Sequence, residues 1–484
     1  MGPDRLPDLL VHIGDCRRPG IASAPVSPVP VLKALRSRAF WFDGPCWLQH
    51  FHLRRKRFRF QFQAPGTIAR NIPMTITSEA PGLPALSKPQ FIALMAMLMA
   101  INAISIDIML PGLQEIGASL GVADENARQY VITAYLLGMG CAQLVFGPLS
   151  DRFGRKLPLL GGLGLYALCA LAIVFVPSFT GLLALRFIQG IGAAATRVIT
   201  VSIVRDVYGG RMMAEVMSLV LMVFMIVPVI APSVGQLIMI FAEWHMIFVV
   251  ICLFAVLVAS LVMLRLPETL SVEHRRPFTV TSILAGFRIV LTNRVSLCYS
   301  LAAAFLFGSL FGFINSAQQI LVGIYGLGHW FPLVFAGFAS MMALASFANS
   351  RLVKRYGMRC LSHGALIGFV VTSLIWAAAS VFGILPFWLF AVLYACAMFQ
   401  FGLIGSNFNA MAMEPLGHVA GTASSVLGFT QTLGGATIGA LIGQAFNGTI
   451  TPLAIGFLTV SLIGLAFVLI AEKGKLFRPH NPAI

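Results

Sequence analysis

The sequence predicts an all-α membrane protein with twelve transmembrane helices in two six-helix halves. Three observations predict it. The 484 residues are 58% hydrophobic and only 10% charged, with mean hydropathy +0.88, where a soluble chain carries about a quarter charged residues. Apolar segments of about 20 residues recur from Phe91 onward, each long enough to cross a bilayer. The basic residues collect on alternate connections, an asymmetry that fixes orientation and supports an even number of crossings.

Residues 1–87 stand apart from the rest of the chain. They hold Arg17-Arg18, the run Arg54-Arg55-Lys56-Arg57 with Arg59, many prolines and no spanning segment. We expect a basic, disordered N-terminal extension. The stretch from Met74, MTITSEAPGLPALSKPQ, has the look of a polar start before a first membrane helix, so 1–73 reads as not native, the rival being a basic arm that binds anionic lipid. No apolar run succeeds the first bases, which argues against a signal peptide.

The spans are placed near 90–112, 128–149, 157–177, 179–203, 213–238, 245–265, 295–318, 330–353, 361–382, 384–411, 419–443 and 451–471. This gives an N-terminal half at 88–265, a linker at 266–294, a C-terminal half at 295–472 and a tail at 473–484. With the N-terminus inside, the connections after even spans carry the bases from Arg152, Arg155 and Lys156 through to Arg351, Lys354, Arg355 and Arg359. The tail adds Lys473, Lys475 and Arg478. Connections after odd spans hold only Arg128. Both termini are therefore expected in the cytoplasm. The net charge of +16 reads as topology rather than nucleic-acid binding, because the bases sit at the ends of apolar segments. The eight cysteines are scattered without a CxxC pair, so we read them as small core residues, neither disulfides nor metal ligands. No cofactor and no metal are expected.

One run stands out, GPLSDRFGRK from Gly147 to Lys156. It packs Asp151, Arg152, Arg155 and Lys156 between two apolar segments, with Gly147 and Gly154 free to turn sharply or let backbones approach. After the eighth span NSRLVKRYGMR, Asn349–Arg359, echoes it. Gly154 aligns with Gly357, Arg152 with Arg355 and Lys156 with Arg359, but Asp151 aligns with Lys354. Two related halves with a site between them are a transporter arrangement.

Ionisable groups inside spans are costly and usually functional. Three are singled out: Asp107 in span 1, and Arg186 and Arg197 in span 4. Asp107 and Arg186 lie at similar depth by the helical rise, so they can pair. A permanent buried pair without titration is the plainer reading; a proton-carrying acid is the functional one. Arg186, Gly190, Ala193 and Arg197 share a helical face, which leaves Arg197 either lining the same cavity more deeply or snorkelling to the inner interface.

The run Gly147–Lys156 resembles the loop signature of the major facilitator superfamily. LRFIQGIGAAA (Leu185–Ala195), IDIMLPGLQEIG (Ile106–Gly117), VPVIAPSVGQ (Val227–Gln236), VRDVYGG (Val204–Gly210) and AGTASSVLGFTQTLGGA (Ala420–Ala436) resemble motifs of its drug:proton antiporters, in the form seen in the Bcr/CflA branch. The resemblance covers about 88–472. It implies the major facilitator fold, proton coupling through Asp107 and Arg186, a gating loop of Gly147, Asp151, Arg152, Gly154, Arg155 and Lys156 whose Asp151 and Arg155 hold the halves together when the cytoplasmic face is closed, and an antiporter helix marked by Pro228, Pro232 and Gly235. Ser406 stands where the branch often has proline, which puts a bend in span 10 in doubt. Candidate cavity residues are Tyr135, Gln143, Gln189, Arg197, Phe305, Phe311, Asn315, Gln319, Asn407 and Gln431, polar or aromatic groups in a mostly apolar setting.

The expected function is proton-coupled efflux of small amphipathic drugs or metabolites from the bacterial inner membrane, by a monomer whose partners are substrate, protons and lipid. The alternative is an importer or facilitator of a polar metabolite, which calls for more polar groups mid-span in the C-terminal half. A membrane enzyme would need clustered acids or histidines, and His245, His329, His363 and His418 are isolated at different span ends.

Overall fold

A computed structural model describes residues 86–275, 280–383 and 385–478. The expectations for the N-terminal extension before residue 86, including a start at Met74, and for the last six residues lie outside them. Among the described residues twelve helices are long and apolar enough to cross a membrane: Lys88–Ser119, Ala127–Phe153, Lys156–Ile173, Phe179–Val207, Glu215–Phe241, His245–Arg265, Arg294–Ile324, Phe331–Tyr356, Met358–Val381, Phe387–Leu416, Ala423–Gln444 and Thr451–Ala471. They are numbered spans 1 to 12 in that order. Among the described residues there is no strand.

Local chemistry sets several ends. Span 1 opens at Ser87 in a capping box, with the Ser87 backbone N–H donating to Gln90 Oε1 at 3.1 Å. Span 4 opens at Ser178, whose hydroxyl accepts from the Gly181 N–H at 3.2 Å. Spans 2 and 8 stop at Gly154 (φ +89°) and Gly357 (φ +80°), conformations that side chains with a Cβ rarely adopt. Span 5 is broken. Its first helix ends at Phe224 and a second begins at Val227, with Pro228 in the first turn where a missing N–H costs nothing. Span 10 runs unbroken over Phe387–Met413, so Ser406 lies inside a continuous helix. The linker contains a helix over Val280–Thr292, which was not placed from the sequence. It packs on span 11, with Phe287 edge-on to Phe429 at 5.6 Å.

The two halves repeat one packing scheme. Span 2 lies on span 4, 3 on 4 and 3 on 6; correspondingly 8 lies on 10, 9 on 10 and 9 on 12. Glycines permit the closest crossings. A Cβ on Gly138 would sit 2.0 Å from the Phe187 carbonyl oxygen, and one on Gly190 would sit 2.1 Å from that of Tyr135. Between the halves, spans 2 and 11 touch along their length, and the second segment of span 5 packs on span 8. Large apolar side chains such as Leu168, Phe241, Leu264, Phe382 and Trp388 cover the outside, as lipid contact requires. Cys141 and Cys396 are exposed rather than part of the core.

Candidate functional site

Span 1 changes character at its far end. The regular helix ends at Asp107, and a 3₁₀ turn Leu110–Gly112 comes next, around Pro111. The carbonyls of the last helical turn therefore lack intrahelical partners. Arg186, fully buried, satisfies one of them: its Nη2 donates to the Ser105 carbonyl at 2.9 Å. Its Nε donates to the Val131 carbonyl at 3.2 Å and its Nη1 to Gln189 Oε1 at 2.8 Å. The guanidinium also lies over the Tyr135 ring, 4.5 Å from its centre. Every nitrogen is engaged.

Asp107 and Arg186 are not joined. Among the described residues Asp107, only 4% exposed, has no ion pair. The physical reason is competition: backbone carbonyls and Gln189 already hold Arg186. Span 5 supplies the wall next to the acid. A Cβ on Gly235 would meet the Ile108 carbonyl oxygen at 1.8 Å, so the glycine lets two backbones touch beside Asp107. Pro232 is buried one turn earlier.

Deeper in the same half, Asn102 Nδ2 donates to Thr196 Oγ1 at 2.9 Å and Tyr135 O–H to Asn102 Oδ1 at 3.4 Å. Asn102 was not singled out from sequence, although an amide within a span is itself a signal. Arg197, next to Thr196, reaches across to the other half: its Nη1 donates to Thr432 Oγ1 of span 11 at 3.4 Å. Gln143 Nε2 donates to the same oxygen at 2.9 Å. Arg197 thus lines the space between halves and does not snorkel.

The remaining cavity candidates scatter. Gln431 Nε2 donates to Asn409 Oδ1 at 2.7 Å, tying span 11 to span 10. Asn407 Nδ2 donates to Asn349 Oδ1 at 2.7 Å, inside the C-terminal half. Phe305 packs on Phe467 between spans 7 and 12. Phe311 fits against Gly435 and Gly439 of span 11. Asn315 Nδ2 reaches Thr133 Oγ1 across the halves at 3.5 Å. Gln319 sits at the end away from the basic loops. There Gln129 Nε2 donates to Gln319 Oε1 at 2.6 Å and to the Gly443 carbonyl at 3.0 Å, while Gln319 Nε2 donates to Asn126 Oδ1 at 2.9 Å. Gln318 Nε2 donates to Gln114 Oε1 at 3.0 Å. These uncharged amides stitch the halves together at that end.

At the basic end, the run Gly147–Lys156 makes the following bonds to the N-terminal half and to the linker that leaves it. Arg155 Nη1 donates to Asp151 Oδ1 at 2.6 Å and to Ser150 Oγ at 2.8 Å, and its Nε to Asp206 Oδ2 at 2.7 Å. Burial alone works against the Arg155 charge, but Asp206 and Asp151 outweigh it and hold the guanidinium above the ordinary arginine range. Lys156 Nζ donates to the Met263 carbonyl at 2.8 Å, and Arg152 lies over Phe153. Glu268, from the linker, accepts the Arg155 and Lys156 backbone N–H groups at 2.8 and 3.1 Å, an anion on a helix N-terminus. The contact with the other half is steric: a Cβ on Gly147 would lie 2.7 Å from Ser425 Oγ. The sequence does not link Asp206 and Glu268 to Arg155, because they lie far along the chain from it.

Known proteins share this architecture. A sequence profile for the Major Facilitator Superfamily matches residues 92–439. A bicyclomycin resistance protein homolog from Haemophilus influenzae is 35% identical over 75% of this chain and 91% of its own length. Multidrug resistance protein D of Escherichia coli is 28% identical over 78% of this chain and 93% of its own. Among solved structures, a partially occluded inward-open form of the E. coli xylose transporter XylE superposes with a TM-score of 0.63 at 11% identity, over 79% of this chain and 96% of that one. The chain is a multi-pass membrane protein that belongs to the major facilitator superfamily of transporters, in its Bcr/CflA-type drug-resistance branch.

Proposed function

We propose that the protein is a proton-coupled antiporter that exports small amphipathic drugs or metabolites across a bacterial inner membrane, with its basic loops and both termini in the cytoplasm. The observation that carries this reading is the setting of Asp107. It is buried, lies at the C-terminal end of a helix, where the dipole opposes a negative charge, and among the described residues has no cation paired with it. An ionised carboxylate there is costly, and taking a proton is the simplest way to remove that cost. A nearby change that admits water or a cation reverses the balance.

Asp107 also sits where the halves can sense it. Gly235 ties its backbone to the broken span 5, whose second segment packs on span 8 of the other half. Loading and unloading a proton therefore acts on a contact between halves, and alternating access is a rocking of those halves. Names of the relatives support drugs as cargo. The test is drug-driven proton movement in proteoliposomes, with wild type and Asp107→Asn. The variant is expected to bind drug but move no protons; coupling that survives the substitution rules Asp107 out as the carrier.

A further inference from the structure

Span 4 carries two arginines inside the membrane, and only one of them is accounted for. Arg186 has an acceptor for each nitrogen. Arg197 has one long contact, Nη1 to Thr432 Oγ1 at 3.4 Å, and that oxygen already accepts from Gln143 at 2.9 Å. Among the described residues no carboxylate pairs with Arg197, and no second hydrogen bond holds its guanidinium. Arginine stays charged in proteins.

The depth rules out relief from headgroups, and Arg197 is half-buried, facing the space between the halves. Thr432 is the midpoint of the helix Ala420–Gln444, roughly 18 Å from either end at ~1.5 Å per residue. Arg197 is ten residues from the end of its own helix at Val207, roughly 15 Å by the same rise, farther than its side chain extends. A charge held mid-membrane and facing the space between halves needs a counter-charge. The described residues supply none, while Gln143 and Thr432, 1% exposed each, add polar atoms around it. A Cβ on Gly428 would lie 2.6 Å from Gln143 Oε1, so a glycine is what allows that amide its place.

We infer that Arg197, with Gln143 and Thr432, is the subsite for an anionic group of the transported molecule, and that the cargo includes amphipathic carboxylates: an apolar body for the aromatic and aliphatic walls, a carboxylate for the planar guanidinium fork. The inference rests on the efflux reading only in calling that molecule cargo. The binding itself needs no proton gradient.

The test compares dansylglycine with its methyl ester, the same body with and without the charge. Each is titrated by fluorescence into the purified protein in nanodiscs of neutral phosphatidylcholine. Wild type is expected to bind the acid at least about tenfold more tightly than the ester, the scale of one charge-assisted contact. Arg197→Gln should bring acid and ester together, and Arg197→Lys should keep part of the preference, which a merely structural role would not produce. Equal binding of acid and ester by wild type, or a preference that survives Arg197→Gln, overturns the inference. Loss of acid binding when phosphatidylglycerol is added assigns the anion to a lipid headgroup and overturns it as well. Asp107→Asn should retain the acid preference, so failure of the proton-coupling experiment and failure of this one are read separately.

Discussion

The loop after span 2 and the loop after span 8 have related sequences and reach the same end by different routes. In the first, Arg155 binds an acid four residues earlier, Asp151, and a second at the end of span 4, Asp206. In the second, Lys354 occupies the place of Asp151, and from sequence the loop looks stripped of its partner. The structure supplies one from elsewhere: Arg359 binds Glu414, at the end of span 10, at 2.9 Å and Glu472, at the end of span 12, at 3.0 Å. Tyr299 donates to Glu472 as well, at 2.8 Å. Span 10 stands to its half as span 4 does to the other, so Glu414 takes the place of Asp206. What the fold preserves is a buried arginine clamping helix ends within each half; which residue carries the acid is free to move.

The largest effects should come from removing the two arginines. Arg359→Ala takes its arginine from Glu472, whose side chain is 3% exposed, whereas Arg155→Ala takes its arginine from Asp206 at 14%. Removing one partner of a buried pair costs about 3–5 kcal/mol. We expect Arg359→Ala near that range and Arg155→Ala toward or below its lower end, read as loss of thermal stability in detergent. Ion pairs join Arg155 to Asp151 and Asp206 and Arg359 to Glu414 and Glu472, so the double variant should be additive to about 0.5 kcal/mol. A larger coupling would mean that the two loops are mechanically joined.

The spans and the two-half repeat were legible because hydropathy and charge are summed over long windows, which tolerate local error. The motif residues of span 4 were legible too, down to Arg186. Its partners were not. That Ser105 and Val131 would offer carbonyls depends on where the span 1 helix stops and how span 2 crosses span 4, and neither is written in a run of apolar residues. Glu414 and Glu472 were hidden for the same reason, as lone acids at span ends far along the chain from Arg359. The linker helix Val280–Thr292 was missed because it is too short to register as a span and its apolar face only makes sense against span 11.

The glycines that open span 3 and span 9 sharpen the comparison at the next level. Both combine positive φ with extended ψ, a region essentially confined to glycine, so alanine at either costs about 1–3 kcal/mol in backbone strain. A Cβ on Gly357 meets nothing within 4 Å, but one on Gly154 lies 2.5 Å from the Glu268 carboxylate. Gly154→Ala should therefore lower the melting temperature more than Gly357→Ala. Equal losses would show that Glu268 yields freely and does not hold the start of span 3.

Acid should separate the halves further. Burial works against the charge of Glu472, but the Tyr299 hydroxyl and Arg359 outweigh it and hold its carboxyl below the ordinary 4.5. An acid with a depressed folded value contributes stability that is present above its unfolded value and lost as pH falls through the folded one. The contribution should be constant from neutral pH to about 5 and decline below 4.5. Glu472→Gln should be less stable than wild type at neutral pH and lose less on acidification. An acid-induced loss of the same size in both would remove Glu472 as the source of the acid sensitivity.

The smallest effect is expected at the acid that made the first loop conspicuous. Asp151 is 39% exposed, against 14% for Asp206, and its pair with Arg155 bridges the helix break at Gly154, a contact with a solvent-exposed acid worth about 0.2–1 kcal/mol. Arg155 keeps Asp206 and Ser150 without it. Asp151→Asn should thus leave the melting temperature almost unchanged, and Lys354 in the other half should be no handicap to stability. A role for Asp151 as a gate then has to show in rate: transport by the variant should slow while its proton stoichiometry stays fixed. If Asp151→Asn instead destabilises the protein as much as Arg155→Ala does, the acid is the anchor of the first loop, and the second loop, which lacks it, is built on a different principle after all.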